Sequence, residues 1–311
     1  MNQTGLLAKR VLIVTGKGGV GKTTVAASLA VAAVQHGLRV ALCETQGSRR
    51  VPDLFDRPSQ GYDLFEVHPD LFTMSITSEH AIEDYILQQI RVRALYKLAF
   101  KNRVMGPFMR AVPGLHDLVQ LGKVWDLERR RTANKPAFDL LVVDAPATGH
   151  GLTMLESPQA MMDLTVAGPF HENAKLIRDL IEDPERTSIV LVSLPEEMPV
   201  NETLELYERL GRFRGQVVLS VLNEVHPTLV GHPEAWPVAR AAMTDPALAE
   251  AVGFADRAAR REAAQQIARE RLHTGLPCPL VELPFLFHRD LRVGDLRQLA
   301  AILAPWLEAS A

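Results

Sequence analysis

The sequence predicts an α/β fold: a mostly parallel sheet covered by helices on both faces. Three observations carry that prediction. Short runs rich in Val, Leu and Ile recur at 11–15, 39–43, 138–143, 188–193, 216–222 and 279–283, mostly with helix-like stretches between them. These runs are continuously apolar rather than alternating, as strands buried on both faces require, and such sheets are largely parallel. The third observation is the string Gly16-Lys17-Gly18-Gly19-Val20-Gly21-Lys22-Thr23-Thr24, set between the first run and a helical pattern starting at Val25.

The elements follow in order. Val11 to Val14 reads as the first strand, and Val25 to Ala30 as the helix after the glycine-rich turn. Tyr62 to Val67 and Leu71 to Ile76 read as an edge strand or hairpin. From 77 to 133 the alternation stops and the chain looks wholly helical, with Met105, Phe108 and Met109 near a Gly-Pro break. This segment is expected to be a helical insertion within one domain spanning 1–311. Its flexible methionines suit an apolar protein client, and packing onto the parent domain is the alternative. Residues 256–272 read as a solvated amphipathic helix. Leu296, Leu299, Leu303 and Leu307 line one face of a last helix expected to pack on the sheet.

Composition sets outer bounds. The chain has 311 residues, 47% of them apolar and 23% charged, which is ordinary for a globular protein with a sizeable core. A net charge of −3 gives no reason to expect nucleic acid. No apolar run approaches the ~20 residues that span a bilayer, and Met1 to Lys9 lacks a signal core. The expected location is therefore the cytoplasm. Cys43 and Cys278 are the only cysteines and form no C-x-x-C pair, so zinc and iron–sulfur sites have little support.

The glycine-rich string satisfies G-x-x-x-x-G-K-[ST] through Gly16, Gly21, Lys22 and Thr23. Glycines at Gly18, Gly19 and Gly21 let backbone amides, with Val20 between them, turn inward around an anion at a helix start. Lys22 then reaches the β- and γ-phosphates of ATP, and the Thr23 hydroxyl, followed by Thr24, meets Mg²⁺. Asp144, at the end of the run Asp139 to Val143, is placed to hold the same Mg²⁺ through a water. Ala145 to His150 then reads as a loop able to respond to the γ-phosphate. His150 itself is open to a phosphate contact, a partner contact or a structural role.

Lys17 narrows the class. A lysine directly after the first glycine resembles the deviant Walker A loop of P-loop NTPases, whose members sandwich nucleotide between two subunits. The string Asp144-Ala145-Pro146-Ala147-Thr148-Gly149-His150 is similar to the Asp-Thr-Ala-Pro-Thr-Gly-His of the ArsA-like ATPases. That family contains arsenite-pump ATPase subunits and the ATPases that target tail-anchored membrane proteins. Leu194 to Thr203 resembles its Pro-Glu segment, and Leu283 to Gly294 its base-lining loop. The resemblance, spanning about residues 10 to 305, implies ATP and Mg²⁺ as ligands and a homodimer or a heterodimer with a paralogue. It also implies that Lys17 acts on phosphate across the interface and that Glu196 contacts nucleoside there. Asn223 corresponds to an adenine-reading residue, and Pro284, Phe285 and Leu286 correspond to the wall of the base pocket.

Three departures qualify that resemblance. The family's first switch reads Asp-Pro-Ala-His-Ser, whereas Gln46-Gly47-Ser48-Arg49-Arg50 stands here. Gln46 can orient water but cannot accept its proton, so Gln46 and Glu44 are both candidate water-positioners and turnover is expected to be slow. A nucleotide-binding scaffold, or the weakly active half of a paralogue pair, is the alternative. The zinc-binding C-x-x-C pair of the targeting ATPases is missing, and so are the clustered thiols that arsenite requires. A partition ATPase fits the Thr-Gly-His and Pro-Glu strings poorly.

Overall fold

The computed structural model describes residues 5–45, 50–89, 114–241 and 243–308. Eight strands form one sheet: β1 (Val11–Gly16), β2 (Val40–Glu44), β3 (Phe65–His68), β4 (Leu71–Ser75), β7 (Leu140–Ala147), β8 (Thr187–Ser193), β9 (Val217–Val225) and β10 (Leu280–Pro284). Their order is β10-β9-β8-β1-β7-β2-β4-β3, and all pairings are parallel except that of β3 with β4. The two short segments before residue 77 thus form the expected edge hairpin. β1 lies near the middle, so the glycine-rich turn opens where both neighbouring strands also end.

Successive residues of a strand face opposite ways, and each face here meets its own helical layer. Val11, Ile13, Leu141, Val143, Ile189 and Leu191 share one core. Against it pack α3 (Ser78–Gln89), α4 (Leu115–Arg129), α5 (Thr148–Leu164), α6 (Pro169–Ile181) and α7 (Glu197–Arg209). Leu12, Val14, Leu140, Val142, Val190 and Val192 share the other core, with α1 (Lys22–Gln35) and α10 (Val293–Glu308). Leu296, Leu299, Leu303 and Leu307 of α10 are buried there, as their spacing predicts. Both faces are therefore dry, which explains the continuous apolar runs.

The segment 77–133 is only in part as expected. Ser78–Gln89 and Leu115–Arg129 are helical, and Leu115, Leu118, Leu121, Val124 and Leu127 join the sheet core. Residues 90–113, with Met105, Phe108 and Met109, lie outside the described residues. The end of the segment is not helical. Arg131–Thr132 (β5) pairs with Lys135–Pro136 (β6), and Ala133 and Asn134 between them take φ of 49° and 65°. Two successive positive φ values are what a tight two-residue hairpin demands.

Residues 236–241 form the short α8, and 249–275 the long α9. The buried residues of α9 are Ala258, Ala259, Glu262, Gln265, Ala268 and Leu272. A stripe this narrow and polar leaves most of the helix solvated. Glu262 and Gln265 use it to hold the chain after β9: Glu262 accepts from the amides of Leu229, Val230 and Gly231, and Gln265 from that of His226.

Candidate active site

The site begins where β1 ends. A side chain at Gly16 would place its Cβ 2.2 Å from the Val192 carbonyl oxygen, so β1 can approach β8 only as glycine. Gly21 has φ +85°, and a Cβ there would meet Asn223 Nδ2 at 2.2 Å. This left-handed residue directly precedes α1, and Val25 N donates to its carbonyl. The start of α1 is thereby aimed at the cleft, with its first amides available to an anion.

That cleft is lined by Gly19, Gly21, Lys22, Thr23, Thr24 and Asp144, among others. The Thr23 hydroxyl donates to Asp144 Oδ2 at 2.6 Å. Asp144 is 6% exposed, and its Oδ1 has no hydrogen-bond partner among the described residues. Burial pushes this carboxyl above the usual range, while the Thr23 hydroxyl and the Lys22 and Arg50 charges oppose the rise. An orphaned buried carboxylate oxygen beside a threonine hydroxyl fits a hard, oxygen-seeking cation such as Mg²⁺. Lys22 Nζ donates to the Lys17 carbonyl at 2.9 Å, spanning the loop. Desolvation lowers its pKa against the pull of Asp144, and the Arg50 charge lowers it further.

The other expected residues surround this centre. Val20 is buried, and its carbonyl accepts from Asn223 Nδ2 at 3.0 Å, so Asn223 braces the phosphate loop from β9. Lys17 Nζ lies 2.9 Å from Glu202 Oε1 of α7. Glu196 is the residue preceding α7. Pro284 ends β10, and Phe285 N donates to the Val225 carbonyl, which carries Phe285 and Leu286 to the strand that holds Asn223. None of the three lines the cleft beside Thr23. Glu44 is 1% exposed, and its Oε1 accepts from the amides of Arg50 at 2.7 Å and Val51 at 3.1 Å. That oxygen is engaged in holding the start of the helix at Arg50–Leu54. Gln46 lies outside the described residues.

The expected loop at Ala145 to His150 is regular structure instead. β7 runs to Ala147 and α5 begins at Thr148, so Thr148, Gly149 and His150 form a first helical turn. The turn packs closely on its surroundings: a Cβ on Gly151 would meet Thr15 Oγ1 at 2.7 Å and the Pro146 carbonyl oxygen at 3.0 Å.

Several residues near the site escaped the sequence reading. Thr45 donates from its hydroxyl to the Asp144 carbonyl, fixing the end of β7. Glu224 adopts φ 58°, and burial together with the nearby Glu196 charge raises its pKa. His226 stacks on Phe285 at 4.4 Å between ring centroids, and Phe287 meets Phe285 edge-on. No motif spacing announces these residues; strand register and loop packing bring them in. Arg50 and Glu202 stand inside quoted strings, yet only the fold shows what they face.

Fold and site together define a P-loop nucleotide-binding ATPase, built on a glycine-rich turn that feeds a helix beside a strand-end aspartate. The model of the anion-transporting, ArsA-type ATPases matches residues 9–167 and 166–235, and the chain belongs to that family. It is 33% identical over 245 residues to the ATPase BagA of Mycobacterium tuberculosis, covering 75% of this chain and 69% of that one. A putative arsenical pump-driving ATPase of Halobacterium salinarum is 29% identical over 231 residues, covering 68% of this chain and 35% of its own length. ATPase GET3C of Arabidopsis thaliana is 24% identical over 268 residues, covering 70% and 68% respectively. Among the described residues, no helix is long and apolar enough to cross a membrane.

Proposed function

We propose that the chain is a Mg²⁺-dependent ATP-hydrolysing switch that works as a dimer, with itself or a paralogue, and couples nucleotide state to an apolar protein client. The observation that carries this reading is the Thr23–Asp144 pair with its unpartnered Oδ1 at the mouth of the phosphate loop. Thr23 and Asp144 would hold the metal, which when bound offsets phosphate charge and orients the γ-phosphoryl group. Lys22 and the loop amides bind the triphosphate tail, and Lys17 is assigned to phosphate of the facing subunit.

Hydrolysis forms a bond from a water oxygen to the γ-phosphorus and breaks the bond to the bridging oxygen, which leaves with its electron pair on ADP. The water's protons pass to phosphate and solvent. Gln46 is assigned to orient that water. The client reading is supported by apolar side chains exposed at and just beyond the end of α5: Leu164 is 61% and Val166 97% exposed. They adjoin helices that border a pocket lined by Tyr85, Trp125 and Phe170.

Calorimetry with Mg²⁺·ATP tests the core of the reading, with Lys22→Ala as control. Uptake by the wild type and loss in the variant are expected; no uptake by folded wild-type protein overturns it. A scaffold or weakly active paralogue partner is the second reading, favoured by the engagement of Glu44 with backbone amides. It gains if steady-state hydrolysis is absent while nucleotide is bound.

A further inference from the structure

We infer that Arg50 is a built-in arginine finger: its guanidinium stabilises the charge that develops on the γ-phosphoryl group, in the subunit that binds the ATP. The inference rests on the ATP-hydrolysing reading above and adds a catalytic group to it.

Arg50 opens α2 (Arg50–Leu54) and lines the same cleft as Lys22, Thr23 and Asp144. Its charge is felt at the two groups expected to face the γ-phosphate and the metal, since it acts on both Lys22 and Asp144. The backbone beneath it is anchored, because the Glu44 carboxylate takes the amides of Arg50 and Val51, and Val51 is fully buried. The side chain above is uncommitted: among the described residues, Arg50 has no carboxylate within 4.0 Å. The two lysines of the phosphate loop are engaged. Lys22 spans to the Lys17 carbonyl and Lys17 pairs with Glu202. In the adjoining groove Arg292 is bound to Asp56 and to the Asp53 carbonyl.

An uncommitted guanidinium on a fixed backbone, aimed into a cleft that receives a polyanion, needs little reorganisation to act. A planar fork matches two equatorial phosphoryl oxygens, and its benefit grows as charge spreads over them in the transition state. Such a group raises turnover more than ground-state binding. It also offsets, in electrostatic terms, a water-orienting glutamine that takes no proton.

The test measures turnover, and measures affinity for a non-hydrolysable ATP analogue and for ADP with aluminium fluoride, all with Mg²⁺. Arg50→Ala is expected to lower kcat about a hundredfold or more. It should weaken the planar mimic by a similar factor and the ATP analogue by less than about threefold. Arg50→Lys keeps the charge without the fork and should recover less than about a tenth of the loss. Equal weakening of mimic and analogue, or turnover within threefold of wild type, overturns the inference. The affinity ratio decides the matter even where turnover is slow. Wild-type protein that binds no nucleotide would instead remove the ATPase reading itself.

Discussion

Glu202→Gln is expected to raise turnover, because it releases Lys17. Lys17 is assigned to phosphate in the facing subunit, yet within its own chain Nζ sits 2.9 Å from Glu202 Oε1, with the two side chains 26% and 32% exposed. Cross-subunit action requires that pair to open. Coulomb's law gives about 1.4 kcal/mol for this separation in bulk water. Partly exposed pairs are worth ~0.2–1 kcal/mol once side-chain entropy and screening are counted. The pair thus lowers the population of free lysine by about 1.5- to fivefold, and removing the carboxylate restores it. The assay is a double-mutant cycle on steady-state ATP hydrolysis, using wild type, Glu202→Gln, Lys17→Ala and the double variant, with ATP-dependent association followed by sedimentation. Glu202→Gln should accelerate the wild type by that factor, less so at high salt, and leave the residual rate of Lys17→Ala unchanged. An equal acceleration in both backgrounds, or none in either, would refute the latch.

Three further outcomes follow from the site and the core. Burial holds the folded Asp144 carboxyl above its ordinary pKa of 3.8, so metal-free stability is fullest below 3.8 and falls as pH rises through the elevated value. Asp144→Asn should therefore melt higher than wild type at neutral pH in EDTA, with the gap shrinking in acid, and should lose stabilisation by Mg²⁺·ATP; a pH-independent gap contradicts the assignment. Glu44→Ala should cost about 1–3 kcal/mol by urea unfolding, because the Arg50 and Val51 amides lose a buried acceptor. Glu44→Gln keeps an acceptor oxygen and should retain most turnover, whereas a water-activating carboxylate would lose it in both variants. Leu303→Ala, at a fully buried position of the last helix, should cost about 2–5 kcal/mol in the same measurement and leave ATP affinity of the folded fraction unchanged.

The sequence by itself determined the layered sheet and the phosphate loop, because both depend on local rules. Runs such as Leu140 to Val143 are apolar at every position only if both faces are covered, and Gly21-Lys22-Thr23 must follow a strand and open a helix to work. Asp144 was legible for the same reason, as the residue where a buried strand meets the cleft. The tertiary structure alone decided which charges meet. Glu202 reaches Lys17 from another helix, Asn223 braces Val20 from a distant strand, and Glu44 turns to the amides of Arg50 and Val51. The first turn of α5, Thr148 to His150, seats closely on Thr15 of β1 only because Gly151 has no side chain, a contact between a helix and a strand far apart in the chain. Pairings of this kind depend on how strands are ordered across the sheet, and no spacing along the chain encodes that order.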